Sequence, residues 1–258
     1  MRIAPEDLEE LRSAKRILEN PGITAKLTNL IGRPLEKGLV LLPGDWQEKV
    51  GAATRNALMA ALKGALLTMG PGTTEANPRW HKFAAVLSGG IGGAFGLPAL
   101  IVELPVSTTI MLRSIADIGR SQGELLSTTQ AQIACLEVFA LGGPSGGDDS
   151  SESGYFAVRS ALARAVTEAS RYLAEKTVVE EGAPALVRLI ATIAARFQIQ
   201  VSEKAAAMAV PLIGAIGGGG INLLFIDHFQ DMSRGHFVVR RLERKYDPML
   251  VRDTYESL

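Results

Sequence analysis

The ionisable residues best placed to do chemistry are two carboxylates that end long uncharged stretches. Glu103 directly follows the uncharged residues 83–102, and Asp227 directly follows the uncharged residues 205–226. An acid at the end of an apolar segment is costly unless it is paired or hydrated. His228 stands beside Asp227, and carboxylates near an imidazole can carry out acid–base catalysis. Glu103, Asp227 and His228 are therefore candidate catalytic residues, of the kind that a hydrolase would use.

Two further polar residues extend this candidate site. Arg113 is the next charge after Glu103, and Asn222 lies within the second uncharged stretch. If the two stretches pack side by side, these residues converge. The resulting polar or ligand-binding cluster contains Glu103, Arg113, Asn222 and Asp227. The alternative, which the sequence favours over catalysis, is that these groups make structural salt bridges at helix ends.

A basic segment near the C-terminus is a candidate membrane-surface site. Residues 231–246 carry five cations against two acids, with apolar residues at helical spacing between them. Each basic residue near an anionic leaflet contributes on the order of 1 kcal/mol to binding. The alternative is a solvated helix face whose apolar side packs on the domain. The membrane-surface residues of the first interpretation are Arg240, Arg241, Arg244 and Lys245.

Motifs for metal, nucleotide and nucleophilic chemistry are missing or out of context. No Cys/His cluster has metal-ligand spacing, and neither HExxH nor G-x-x-x-x-G-K-[ST] occurs in the sequence. Residues 143–147 match G-x-S-x-G, but they open an acidic Gly/Ser-rich segment instead of joining a strand to a helix. The sequence therefore predicts no metal and no cofactor.

The two uncharged stretches are rich in glycine. Each contains five glycines and one proline. Glycines four residues apart, such as Gly89 and Gly93, let another backbone approach a helix closely. A helix of about 20 apolar residues just reaches across a bilayer core. We predict two buried helical hairpins; membrane embedding or reversible insertion is the second interpretation, and ligand-cradling loops are the third.

Helical periodicity predicts an all-α, multi-helix bundle of about eight to ten helices, with the two Gly-rich hairpins at its centre. No segment shows the period-two alternation of a half-buried strand. The predicted helices cover residues 5–19, 45–69, 128–141, 155–176, 184–198 and about 235–246.

A Gly/Ser-rich segment divides the chain. Residues 142–154 contain glycines, serines and three acids, but no large apolar side chain. Such a segment has no means of joining a core, so it predicts a flexible linker. We expect an N-terminal helical extension over residues 1–44, a helical domain over 45–247 that this linker interrupts, and a C-terminal tail over 248–258.

Composition excludes several classes of function. The chain has 258 residues, 47% of them hydrophobic, and 27 basic against 27 acidic side chains. This composition excludes intrinsic disorder and gives no charge bias toward nucleic acid. The single cysteine cannot form an internal disulfide, and the N-terminus lacks the pattern of a secretory signal. We expect a cytoplasmic protein, or one peripheral to the inner face of the cell membrane, without a nucleic-acid partner.

The ordered pair of Gly-rich segments resembles the EcsC family. The residues that carry the likeness are SGGIGGAFGLPALIVELPVSTTIMLRSIADIG, with Glu103-Leu104-Pro105, and VPLIGAIGGGGINLLFIDHFQDMSRGHFVVRRLERKY. The likeness covers roughly residues 46–247 and leaves the N-terminal helix outside.

The family is named for a bacterial operon that also encodes an ABC transporter, and its own biochemical activity is not established. The resemblance therefore implies an accessory role by association. We expect a non-catalytic peripheral-membrane or ABC-transporter-accessory protein, whose partner is an anionic membrane surface or a membrane transporter complex. A hydrolase that uses the polar cluster is the first alternative, and a soluble helical scaffold is the second.

Overall fold

The computed structural model describes residues 3–19, 42, 44–68, 97–143, 154–175, 180, 182–209 and 218–258. Across these ranges the chain forms eight α-helices, a single 3-10 helix and no strand, which confirms the all-α multi-helix prediction. In chain order the α-helices are α1 (Pro5–Leu18), α2 (Trp46–Thr68), α3 (Leu97–Ser121), α4 (Thr129–Glu137), α5 (Gly154–Glu175), α6 (Pro184–Ala209), α7 (Gly218–Lys245) and α8 (Pro248–Ser257). The 3-10 helix, Val138–Ala140, directly follows α4.

Several helices start at local sequence signals. Pro5 and Pro248 lie in the first turns of α1 and α8, where a missing backbone N–H costs nothing. Asp247 accepts hydrogen bonds from two backbone N–H groups in the first turn of α8. Thr128 caps α4 in the same way. These caps satisfy donors that would otherwise have no helical partner.

The centre of the bundle lies between α2, α3, α6 and α7. Helix α2 packs on α3 and α6, while α7 packs on α3 and α1. Four phenylalanine rings fill the space between the 3-10 helix, α6 and α7, with ring centroids 4.9–6.0 Å apart. They are Phe139, Phe197, Phe225 and Phe229. Such tilted and edge-on pairs stabilise a core beyond the area that they bury.

Both helices around the second Gly-rich stretch are longer than predicted. Helix α6 continues to Ala209 instead of ending near residue 198, because the alanines that follow Lys204 are strong helix formers. Helix α7 begins at Gly218, well before residue 235. Of the two Gly-rich stretches predicted to form hairpins, residues 83–96 and 210–217 lie outside the described residues, so the hairpins stay a prediction. Of the linker predicted over 142–154, residues 144–153 lie outside them as well.

The segments predicted as an extension and a tail both pack on α7. Leu18 in α1 is so close to Gly235 in α7 that a Cβ on the glycine would lie 2.7 Å from Leu18 Cγ. Helix α8 contacts α7 and α1, and it buries Val251 and Tyr255. Both terminal helices are therefore part of the helical bundle.

Candidate functional site

A buried polar cluster joins α3, α6 and α7 next to the two Gly-rich stretches. The Lys204 ammonium lies 3.3 and 3.4 Å from the two carboxylate oxygens of Glu103. It also donates a 2.8 Å hydrogen bond to Oδ1 of Asn222 and lies 5.0 Å from the ring centroid of Phe225. Lys204 is 1% exposed. Glu103 and Asn222, which the sequence predicted to share a cluster, therefore meet through a lysine.

The electrostatics of this cluster depend on the ion pair. Burial lowers the pKa of Lys204 because desolvation penalises the ammonium, and the carboxylate of Glu103 opposes that shift. A buried ion pair whose other donors and acceptors are satisfied resists the loss of either partner. Glu103 is bound to Lys204 below the surface. The geometry therefore favours a structural role, in which the ion pair holds three helices together, and not a role in acid–base catalysis.

The cation beside Glu103 is Lys204 and not Arg113. Arg113 is exposed, and ten residues of α3, about 15 Å of helix, separate it from Glu103. Arg113 was predicted as the partner of Glu103 because it is the next charge along the sequence. The signal that sequence reasoning missed is Lys204 itself, a lysine that precedes a run of alanines at a position where α6 faces the core.

Asp227 and His228 lie further along α7 than Asn222. Asp227 is half-buried, and its position is rotated about 140° around the helix from Asn222. His228 is buried and faces the loop after the 3-10 helix, because a Cβ on Gly142 would lie 2.5 Å from its ring atoms. Joint catalysis by Glu103, Asp227 and His228 thus stays a prediction. The positions of the three residues do not favour it.

The four cations predicted to meet a membrane all have acidic partners inside the chain. The carboxylates are Glu124 for Arg240 and Arg244, Glu10 for Arg241, and Asp7 for Lys245. These pairs tie the C-terminal half of α7 to α1 and to the turn after α3. They favour the alternative in which this helix face packs on the domain.

Glu124 is the most deeply placed of these acids. Burial alone would raise the pKa of its carboxyl group, but the hydrogen bond from Arg240 and the charges of Arg240 and Arg244 hold the pKa below the usual value. Arg244 also donates a 2.7 Å hydrogen bond to the carbonyl oxygen of Gln122. Glu124 is therefore an ionised anchor for two arginines.

A second buried network lies between α5 and α7. The Tyr155 hydroxyl is 3.0 Å from Nδ1 of His236, and Arg159 makes two hydrogen bonds, of 2.7 and 3.1 Å, to the carboxylate of Glu243. Burial lowers the pKa of His236 well below its usual value because it disfavours the imidazolium, and the charges of Arg240 and Arg159 add to the effect. His236 is therefore neutral in the folded protein.

We expect His236 to contribute to acid sensitivity. Below about pH 6.5 the unfolded chain binds a proton at this residue and the folded chain does not. The free energy of unfolding is therefore highest above that pH and decreases as the pH falls. The contribution is about 1.4 kcal/mol per pH unit. Urea unfolding between about pH 7 and pH 5 measures the slope. A His236→Gln variant should show a flatter profile, and an unchanged slope would contradict the assignment.

The described residues do not provide a metal centre or a reactive thiol. Within the described ranges, no three His, Cys, Asp or Glu side chains are close enough to hold a metal ion. Cys135 is buried, and desolvation raises the pKa of its thiol far above neutrality. A protonated, buried thiol is a poor nucleophile.

One described helix, α6, is long and apolar enough to cross a membrane by length and composition. In the structure it contacts α2, α3, α5 and α7. Its buried positions run from Leu186 to Ala207 and include the paired Lys204. These contacts bury 44% of its most apolar 18-residue window.

The described part of the chain is a helical bundle in which a buried lysine–glutamate pair joins helices that border two Gly-rich stretches in sequence. The chain belongs to the EcsC protein family, whose family model matches residues 5–242. No curated protein and no solved structure matches the chain. The family match includes α1, which the sequence motifs had left outside the resemblance.

Proposed function

We propose that this EcsC-family protein is a non-catalytic peripheral membrane protein that docks through one apolar end of its bundle. The observation that carries the proposal is a pair of exposed valines near the start of α3. Val102 is 77% exposed and Val106 is 54% exposed. They are one turn apart, so they share a face of the helix. In sequence, Val102 is the last residue of the uncharged stretch 83–102.

The buried ion pair supports docking at this end. Glu103 follows Val102 directly, and Lys204 precedes the second uncharged stretch. Because the two charges bind each other inside the bundle, neither borders the exposed valines as a free surface charge. An apolar surface without a nearby charge enters a lipid interface at lower cost.

The pairing of the α7 cations changes the expected mechanism. Arg240 lies eighteen residues, about 27 Å of helix, beyond Asn222. Since the cations at this end of α7 are bound to acids, we expect apolar contact and not charge attraction to dominate docking. The family resemblance also predicts a transporter as the partner and the inner face of the cell membrane as the location. Both stay predictions.

The valine pair provides the test. A Val102→Glu/Val106→Glu double variant should lose binding to mixed phosphatidylglycerol and phosphatidylcholine vesicles by at least about tenfold, because each valine buried in lipid contributes about 1.5 kcal/mol or more. Vesicle co-sedimentation measures the partitioning.

The matched control is Val187→Glu, which adds a charge at another exposed valine, 47% exposed, in the first turn of α6. We expect this control to bind vesicles as the wild type does. Equal losses in the two variants would mean that any added acid weakens binding, and the α3 face would then have no special role.

A further inference from the structure

A cleft of about 490 Å³ opens between the turn after α3, the start of α4, and the helices α5 and α7. Its volume is within the range of pockets that hold small molecules. Three arginines line it: Arg159 from α5, and Arg240 and Arg244 from α7. The cleft lies far from the Lys204 cluster along α7, so a ligand bound there does not require membrane docking.

The lining of the cleft carries a surplus of positive charge. Its acidic members are Glu124 and Glu243, so the three guanidinium groups face two carboxylates. Glu124 is shared by Arg240 and Arg244. Glu137 is buried outside the lining, near enough to Arg240 and Arg159 for their charges to affect it, and burial raises the pKa of its carboxyl group. Among the residues that line the cleft, the three guanidinium groups exceed the two carboxylates by one charge.

The carboxylates hold the arginines in fixed orientations. Arg159 binds Glu243 through both terminal nitrogens, and Arg240 binds Glu124 through Nε and Nη2. A guanidinium has five N–H donors, and these contacts with described residues use only some of them. Arginines held in this way lose little side-chain entropy when they bind a second anion.

The start of α4 adds to the positive potential. Thr128, Gln130 and Ala131 line the cleft, and they form the cap and first turn of this helix. The side chain of Thr128 already accepts the N–H of Ala131, so the attraction for an anion comes from the helix dipole and the other N–H groups of this turn. Arginine forks and a helix N-terminus together are the donors that proteins use to bind phosphate.

We infer that this cleft binds a small molecule through a doubly charged phosphate group, which is held by Arg159, Arg240 and Arg244 in front of the first turn of α4. The group belongs either to a soluble phosphomonoester or to the headgroup of a phosphatidic acid. Leu125, which is 72% exposed at the cleft, offers an apolar contact for the rest of the molecule.

Inorganic phosphate and glycerol 3-phosphate are the soluble probes, with sodium chloride at equal ionic strength as the salt control. Isothermal titration and the melting temperature report binding, since a ligand of the folded state raises the melting temperature. We expect both probes to bind the wild type, with glycerol 3-phosphate the tighter ligand. Absence of binding by both probes at about 10 mM, well above the range expected for a formed site, would overturn the inference.

Two variants test the cleft itself. Arg244→Gln removes a cation while Arg240 still pairs with Glu124, and Gln130→Glu places an acid at the mouth of the cleft, where it also favours the helix start. Each should weaken binding of glycerol 3-phosphate at least about fivefold, in line with the loss of one charged contact. The matched control, Arg234→Gln, removes an exposed cation of the same helix outside the cleft and should bind as the wild type does. Wild-type affinity in both cleft variants would overturn the inference.

Vesicles distinguish the two sources of the phosphate. If the ligand is a lipid headgroup, the protein should prefer phosphatidic acid over phosphatidylglycerol vesicles, and Arg244→Gln should abolish that preference. If the ligand is soluble, the probes should bind while the protein shows no preference between the lipids. Both results support the site, because both depend on Arg244. Since the probes are soluble, a failure here is separate from a failure of docking through the α3 valines.

Discussion

Replacing Lys204 with methionine is expected to lower the free energy of unfolding by about 3–5 kcal/mol. Methionine is an unbranched side chain only one heavy atom shorter than lysine, but it lacks the ammonium, so the Glu103 carboxylate stays buried without its cation. The Oδ1 atom of Asn222 also loses its 2.8 Å donor. Urea unfolding followed by circular dichroism at neutral pH measures the change.

The double variant Lys204→Met/Glu103→Leu separates the charge from the packing. Replacing both members of a buried ion pair with apolar residues is often neutral or stabilising, so we expect it to recover most of the lost stability. Lys49→Met is the control, because Lys49 is an exposed cation paired with Asp45 on the surface of α2. Its loss should change stability by less than about 0.5 kcal/mol. An effect of Lys204→Met as small as that of Lys49→Met would contradict the clamp.

The Gly142→Ala variant is expected to lose about 2–5 kcal/mol of stability. Gly142 has φ of +72°, a conformation that costs other residues about 1–2 kcal/mol. The new Cβ would also lie 2.5 Å from the ring of His228 and 2.8 Å from Sδ of Met232. Forcing a methyl group into such a contact typically costs about 1–3 kcal/mol more.

Gly64→Ala is the matched control for this substitution. Gly64 lies inside α2, and a Cβ there would meet no atom within 4 Å. Alanine is favoured over glycine inside a helix, so this variant should gain about 0.5–1 kcal/mol. The melting temperatures of both variants report the changes. A Gly142→Ala variant as stable as the wild type would show that His228 and the loop move apart at no cost.

Helices with clear local signals were predictable: apolar spacing marks α1 and α5, and Thr128 caps α4 as its residue type favours. Helix α8 was not predicted, because residues 248–258 were assigned to a tail, although Asp247 caps it. The prediction for α6 ended too early, near residue 198, since the residues after Lys204 were assigned to a separate Gly-rich stretch. Only the tertiary fold shows that Lys204 faces a carboxylate on α3.

The candidate site was predictable only in part. Glu103 and Asn222 stood out because each is polar next to or within an apolar stretch. The partner of Glu103 could not be read from the sequence, since Lys204 lies 101 positions away. The α7 cations show the same limit: Lys245 pairs with Asp7, 238 positions earlier, so cations that look unpaired in the sequence have acidic partners in the fold. Charge in a local window therefore overstates the charge that a partner meets.

Vesicle flotation at low and high salt tests the docking proposal most directly. At about 0.1 M salt the screening length is about 10 Å, and at about 1 M it is about 3 Å, so attraction by charge fades while apolar contact persists. We predict that the wild type floats with mixed phosphatidylglycerol and phosphatidylcholine vesicles at both concentrations, and that Val102→Glu/Val106→Glu stays at the bottom of the gradient at both. A wild type that never floats, or that floats only at low salt while the valine variant floats with it, would contradict docking through the apolar end of α3.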